Sequence, residues 1–227
     1  MKTLFYPSAG NEDWKNTLVQ FLDSTDKFIF ADINYSENHL KNFKRHVAEV
    51  GLITAEEKIG TFSGQMTIVP NGKNSYRHLA PAYYHLHVTI KNIKKIITFR
   101  KGFGQYALNE LDENGLHVFY HRGDSVGESG SNVFYLANRH ARHKPLEKLF
   151  NVLSSKLTNN SVIVSDGSNT DFKQFKMLYR NIKDLDKQTV IDSIVGKEIS
   201  ILDTTLKCID VLDRRHNHTL AWEVSKK

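Results

Sequence analysis

The strongest constraint on the fold is an alternation of strand-like and helix-like segments in the first fifty residues. The apolar run at residues 4–6 is followed by a loop and by a helical stripe that begins with Trp14 and Leu18. A second apolar run, residues 28–31, precedes another helical stripe, which Gly51 is expected to end. Because parallel strands need helical crossovers and are buried on both faces, this order predicts a parallel sheet covered by helices.

The rest of the chain completes this prediction. Between about residues 58 and 118, strand-like runs that include "GQYALNEL" are separated by Gly, Pro, Asn and Lys turns. A helical stripe then leads into the run "SVIV", and the last twenty residues predict an antiparallel hairpin. We therefore predict one α/β domain over residues 1–227: a Rossmann-like, mostly parallel sheet with helices on both faces, a β-rich insertion at about 58–118 and a C-terminal antiparallel hairpin.

Composition limits the environment and the partners. With 227 residues, 40% of them hydrophobic, the chain can bury a sizeable core. A net charge of +6 suits an anionic partner, although 31 basic and 25 acidic residues make a mixed surface. The single cysteine, Cys208, and the lack of a charged and apolar leader predict a cytoplasmic protein. No run approaches about 18 apolar residues, so we expect no membrane partner.

Four strand-like runs are followed at once by loops of small and acidic residues: "LFYPSAGNED", "FIFADINY", "VFYHRGDSVGESGS" and "VIVSDGSN". In open parallel sheets such loops lie at one edge, and ligands bind there where the strand order reverses. We expect the four loops to form one site. The alternative is that Gly, Ser, Asp and Asn are simply the usual turn residues.

The first two loops predict a subsite for a small ligand. Gly10 would let the backbone approach the ligand, Ser8 offers a hydroxyl, and the helix that starts at Asp13 offers free N–H groups. Glu12 and Asp13 oppose a phosphate, so an amine or a hydroxyl fits better. Asp32 follows Gly10 by 22 residues, close to the spacing of about 20 at which an acid reaches ribose hydroxyls. The alternative for Asp32 is a turn or helix-cap acid.

The densest polar cluster is "HRGDSVGESGSN", residues 121–132. His121 would act as a general base, and Asp124 or Glu128 would orient it or bind an amine. Asp166, in the loop after the "SVIV" run, should lie beside His121 if both strands are parallel neighbours. A surface loop would give the same composition. No ligand spacing is tight enough to predict a metal site.

The order of these features resembles the class I S-adenosylmethionine-dependent methyltransferase superfamily. The resemblance is carried by the "YPSAG" loop, the acid that ends the second strand, the segment "LEKLFNVLSSKLTNNSVIVSDGS" and the final hairpin. It implies that Ser8, Ala9 and Gly10 wrap the methionine portion of S-adenosylmethionine. It further implies that Asp32 binds the ribose and that the loop at residues 122–125 lies near the transferred methyl group. Family loops usually carry two or three glycines, and this loop carries one.

The predicted function is therefore that of a methyltransferase-like protein with an unknown acceptor. Two alternatives stay open. One is a non-catalytic nucleotide- or RNA-binding module, which would use the basic groups at residues 91–101, 139–144 and 214–218. The other is a hydrolase that uses the His and acid cluster. His85 and His87 are two residues apart and therefore share a strand face. This spacing fits a metal site or a two-histidine phosphoesterase, and it equally fits two histidines on the polar face of a strand.

Overall fold

The computed structural model describes residues 1–7, 9–10, 13–63, 70–71, 75–76, 81–102, 104–122, 149–167, 173–214 and 217–227. The strands in these ranges are β1 (Thr3–Pro7), β2 (Lys27–Asp32), β3 (Leu52–Ile59), β4 (Pro70–Asn71), β5 (Ser75–Tyr76), β6 (Ala82–Ile90), β7 (Ile93–Lys101), β8 (Leu116–His121), β9 (Leu157–Ser165), β10 (Glu198–Ile201), β11 (Thr204–Arg214) and β12 (His218–Lys226). The helices are α1 (Asp13–Gln20), α2 (Glu37–Val50), α3 (Gly104–Asn109), α4 (Leu149–Lys156), α5 (Lys173–Ile182) and α6 (Lys187–Ile194). No helix in these ranges is long and apolar enough to cross a membrane.

Ten strands form one mixed sheet in the order β10-β11-β12-β9-β8-β1-β2-β7-β6-β3, and β4 pairs with β5 separately. The five neighbouring strands β9, β8, β1, β2 and β7 run parallel. The outer pairings are antiparallel on both sides. The prediction of a Rossmann-like, mostly parallel sheet is therefore wrong: five of the nine pairings in the large sheet are antiparallel, and the described ranges hold only six helices beside ten strands of that sheet.

A tight turn is the physical reason that β6 and β7 are antiparallel. Between β6 and β7 only Lys91 and Asn92 remain, with φ of 48° and 64°. Two consecutive left-handed residues form the turn type that joins antiparallel strands, whereas a parallel pair needs a crossover of a dozen or more residues. The sequence marked this region as strand-like but gave no sign of the strand direction, because neither turn residue is glycine.

Helices pack on both faces of the sheet. Successive strand residues point to opposite faces, so Leu4 and Tyr6 join one buried cluster and Phe5 joins the other. The first cluster packs against α1 and α2, and the second packs against α3, α4, α5 and α6. The alternating apolar side chains of the central strands therefore contribute to both halves of the core, one on each face of the sheet.

The predictions for individual helices differ in outcome. The helices expected after Asp13 and before Gly51 are confirmed as α1 and α2. Gly51 is needed at its place because a Cβ there would lie 2.4 Å from Cγ1 of Ile90. The expectation that "GQYALNEL" forms a strand is wrong, because residues 104–109 are helix α3. A helix of six residues is too short for its apolar spacing to be told from that of a strand.

Candidate functional site

The sheet brings together the loops that follow four adjacent parallel strands. In the order β9-β8-β1-β2, each strand is parallel to its neighbour, so all four carboxyl ends lie at one edge. The chain proceeds from β1 to β2 on one side of β1, and the later strands β8 and β9 lie on the other side. The strand order therefore reverses beside β1, which is where ligands bind in open sheets of parallel strands.

The loops after β1 and β2 are joined by hydrogen bonds. Gly10, at φ 60°, donates its N–H to Oδ2 of Asp32 at 3.0 Å. Ala9 donates its N–H to the carbonyl oxygen of Ala31, also at 3.0 Å. Oδ1 of Asp32 accepts the N–H of Asn34 at 2.7 Å, so the Asp32 carboxylate also forms the turn that the alternative interpretation expected. Ser8 lies outside the described residues.

Burial sets the electrostatics around Asp32. The Asp32 residue is 6% exposed and the neighbouring Tyr35 is fully buried. Burial, followed by the nearby charge of Asp32, raises the pKa of Tyr35 well above its usual value. The Tyr35 hydroxyl therefore keeps its proton, and the negative charge at this part of the edge belongs to Asp32.

On the other side of β1, the register of β8 and β9 places His121 opposite Ser165. Asp166 is the residue that follows Ser165. His121 is fully buried, and its ring is stacked on Phe119 with centroids 6.1 Å apart. Burial lowers the pKa of His121 to about 4, and the charge of Asp166 opposes this shift. His121 is thus a neutral imidazole at pH 7. Asp124 and Glu128 lie outside the described residues.

A second set of buried polar groups holds the loop after β9. The Tyr179 hydroxyl donates to the carbonyl oxygen of Ser165 at 2.6 Å and accepts the indole N–H of Trp222 at 3.2 Å. Asn217 donates from Nδ2 to the carbonyl oxygen of Asp166 at 3.2 Å. These contacts link α5 and β12 to the position of Asp166. Sequence reasoning missed Tyr179, which is visible there only as part of an apolar helical stripe.

The structure brings the predicted site residues together in two pairs, of which only one is shown in direct contact. Gly10 and Asp32 are in direct contact at the ends of β1 and β2, whereas His121 and Asp166 lie at the ends of the next two strands, β8 and β9. Among the residues that the structure describes, no three His, Cys, Asp or Glu side chains are grouped so that they could hold a metal ion.

The histidines and lysines of the outer strands have other surroundings. His85 Nδ1 lies 2.9 Å from Oγ1 of Thr98, and burial lowers the pKa of His85. Within the basic group at residues 91–101, Lys95, Arg100 and Lys101 are buried. Lys95 and Lys101 donate from Nζ to the carbonyl oxygens of residues 25 and 62, respectively. Buried cations that serve the fold in this way do not form a surface for nucleic acid.

A cavity of about 540 Å³ opens at the opposite edge of the sheet, near the amino ends of β2 and β7. Asp26, His87 and Lys94 contribute to its lining. It does not include any of the residues predicted to bind a cofactor or to act in catalysis. The strand order, which places the predicted residues together, is a better indicator of the site than the size of this groove.

The burial of His121 predicts a pH dependence of stability. In the unfolded chain His121 takes up a proton near pH 6.5, whereas in the folded protein it does so only near pH 4. The free energy of unfolding should therefore fall by up to about 3 kcal/mol as the pH falls through this window. The measurement is urea unfolding at pH 7, 5.5 and 4.5 for the wild type and His121→Phe, and the variant should show a smaller loss.

His87→Phe is the matched control, because His87 is exposed and its imidazole is hydrated in both states. Equal losses of stability in the wild type and in His121→Phe between pH 7 and 4.5 would contradict the assignment of this pH dependence to His121.

No protein-family model and no curated protein matches this sequence. A function for the chain must therefore be argued from its site.

Proposed function

We propose that the protein binds an adenosyl compound at the carboxyl edge of the five parallel strands and acts as a methyltransferase-like protein that uses S-adenosylmethionine. The observation that carries this proposal is the contact between Gly10 and Asp32, at the ends of two adjacent strands and beside the reversal of strand order. This is the arrangement that a ligand needs if it crosses the end of β1 and reaches the acid after β2.

The surroundings of Gly10 favour a ligand close to the backbone. No described atom lies within 4 Å of the point where a Cβ of residue 10 would stand. The φ of 60° turns the loop sharply, and α1 begins three residues later. Asp13 in the first turn of α1 disfavours a phosphate at the free N–H groups. The α-amino group of the methionine portion of S-adenosylmethionine suits such an acidic neighbourhood.

Asp32 supports the ribose part of the proposal. The Asp32 carboxylate accepts the N–H groups of Gly10 and Asn34 at the end of β2, where the ribose is proposed to bind. These two bonds would also hold the carboxylate in a fixed orientation before the ligand arrives. A group that is already oriented loses little entropy on binding.

The acceptor would bind on the other side of β1. His121 and Asp166 lie at the ends of β8 and β9, on the side away from Asp32. Methyl transfer requires alignment of the acceptor with the methyl group and removal of a proton from the acceptor. A neutral imidazole can take up such a proton, and Asp166 would stabilise the cation formed. Asp124 and Glu128 remain predictions for the same side.

The test is the shift in melting temperature caused by S-adenosylmethionine, S-adenosylhomocysteine, NAD and ATP. A ligand at 100 times its Kd adds about 2.7 kcal/mol to the free energy of unfolding, which corresponds to roughly 5–10 °C for a chain of this size. We expect such a shift with both adenosyl sulfur compounds. Asp32→Asn keeps one oxygen for the backbone bonds but loses the charge. The affinity for S-adenosylmethionine, derived from the shift, should fall at least about tenfold.

The matched control is Asp23→Asn, because the Asp23 side chain is 78% exposed and pairs with the exposed Lys91. Absence of any shift with both adenosyl sulfur compounds, in protein with a cooperative melting transition, would overturn the proposal. An equal shift with NAD or ATP would instead favour the nucleotide-binding module. An unchanged affinity in Asp32→Asn would remove the ribose role alone.

A further inference from the structure

Arg122 stands at the reversal of strand order, directly after β8. Tyr120, two residues earlier, is buried in the cluster that packs against α1 and α2, and Arg122 follows it on the same face. The carbonyl oxygen of Arg122 accepts the hydroxyl of Tyr6 from β1 at 3.5 Å. The backbone of Arg122 is therefore held at the end of the boundary between β1 and β8, beside the proposed adenosyl site.

The guanidinium has more donors than the described protein uses. Nη1 donates to the hydroxyl of Tyr120 at 3.3 Å and forms an ion pair with Oδ2 of Asp213 at 2.9 Å. Nε is buried and has no hydrogen-bond partner among the described residues. A buried N–H without a partner is uncommon in proteins and calls for an explanation, and a polar group of a ligand is one.

The surroundings leave the charge of Arg122 partly uncompensated. The Arg122 side chain is 11% exposed, whereas that of Asp213 is 52% exposed and well hydrated. The hydrated Asp213 carboxylate pairs with Nη1, and Nε has no partner among the described residues, so the edge formed by Nε and Nη2 can take another acceptor. That edge matches the two oxygens of a carboxylate or a phosphate.

We propose that Arg122 binds an oxyanion, either a carboxylate or a phosphate, on the acceptor substrate. This inference rests on the proposed function for the identity of the bound molecule as a methyl acceptor. The position supports the acceptor rather than the cofactor, because Arg122 follows β8 and Asp32 follows β2, with β1 between them. The acceptor would thus be an acidic small molecule, and Arg122 would determine that specificity.

The experiment measures the binding of acetate, inorganic phosphate and, as the neutral probe, acetamide, by NMR titration at constant ionic strength. The wild type should bind at least one of the two anions saturably and should not bind acetamide. Arg122→Gln should weaken that binding at least about tenfold, the usual loss when a charge-assisted pair is removed. The preference between acetate and phosphate distinguishes a carboxylate from a phosphate ester.

Three further variants test the local geometry. Arg122→Lys keeps the charge but not the two-pronged edge, so it should retain phosphate binding better than acetate binding. Asp213→Asn removes the competing carboxylate and should tighten anion binding. Arg45→Gln is the matched control, because Arg45 is an exposed arginine on α2.

Several outcomes would overturn the subsite. One is the absence of saturable binding of either anion, and another is equal binding in the wild type and Arg122→Gln. A third is an Asp213→Asn variant that loses stability but binds the anion no more tightly, because the ion pair would then be only structural. The shift with S-adenosylmethionine should persist in Arg122→Gln. If S-adenosylmethionine causes no shift in the wild type, the proposed function is overturned, whereas the anion subsite is still decided by the anion titrations.

Discussion

Gly167→Ala should lower the free energy of unfolding by roughly 2–5 kcal/mol. Gly167 has φ of 71°, and a Cβ there would lie 2.2 Å from Cγ and Cδ2 of Tyr179. A left-handed conformation costs a non-glycine residue about 1–2 kcal/mol, and over-packing typically adds about 1–3 kcal/mol. The Tyr179 ring cannot move aside cheaply, because its hydroxyl is bonded to both Ser165 and Trp222. Chemical unfolding followed by circular dichroism measures the loss.

Gly196→Ala is the control for the backbone cost alone. Gly196 has φ of 87°, and nothing lies within 4 Å of the point where its Cβ would stand. Its substitution should cost about 1–2 kcal/mol. In a Tyr179→Leu background, the added cost of Gly167→Ala should fall toward this value, because the two sites are in contact and their effects are not additive. Equal losses for Gly167→Ala and Gly196→Ala in the wild-type background would show that Tyr179 does not restrict residue 167.

Trp14→Ala should destabilise the protein by roughly 3–5 kcal/mol, as is usual when a buried tryptophan is removed from a core. Trp14 is 1% exposed, and its ring lies 5.0 Å from that of Phe99, 5.4 Å from that of Phe43 and 5.8 Å from that of Phe30, between centroids. The substitution removes the contacts that hold α1 against β2, β7 and α2. Because α1 begins just after Gly10, the first loop should lose order as well.

Val19→Ala is the control on the same helix, because Val19 is 61% exposed. It should change the free energy of unfolding by no more than about 0.5 kcal/mol. Urea unfolding followed by far-ultraviolet circular dichroism is suitable for both variants, since it does not depend on the fluorescence of the residue removed. A loss below about 1.5 kcal/mol for Trp14→Ala would contradict the central place of this ring in the core.

The two helices beside the first strands could be predicted because their apolar residues recur over at least two turns. Trp14 and Leu18 in α1, and Phe43 and Val47 in α2, are four residues apart and are all buried. Helix α3 could not be predicted in this way. Its Ala107 and Leu108 are buried next to each other, and a six-residue segment shows too little of its period.

The charge of Arg100 illustrates a second limit of the sequence. It reads as part of a basic run, yet Arg100 is 2% exposed and its Nε donates to Oε2 of Glu110 at 2.7 Å. Glu110 lies just after α3, so the pairing exists because the segment that follows β7 returns Glu110 to the end of that strand. A run of basic residues in the sequence therefore does not reveal that this arginine is buried and paired with an acid.

Local patterns were sufficient for the strands β1, β2, β8 and β9, for α1 and α2, and for the polar residues that follow those strands, because these depend on residues close together in the chain. Strand direction, strand order and burial needed the tertiary structure, because each depends on which distant segments pair. The loop around Gly10 shows both: its glycine and its acids are visible in the sequence, but its contact with Asp32 requires β1 to pair with β2. In the same way, His121 became a buried neutral imidazole only through the packing of β8 and β9 beneath the helices.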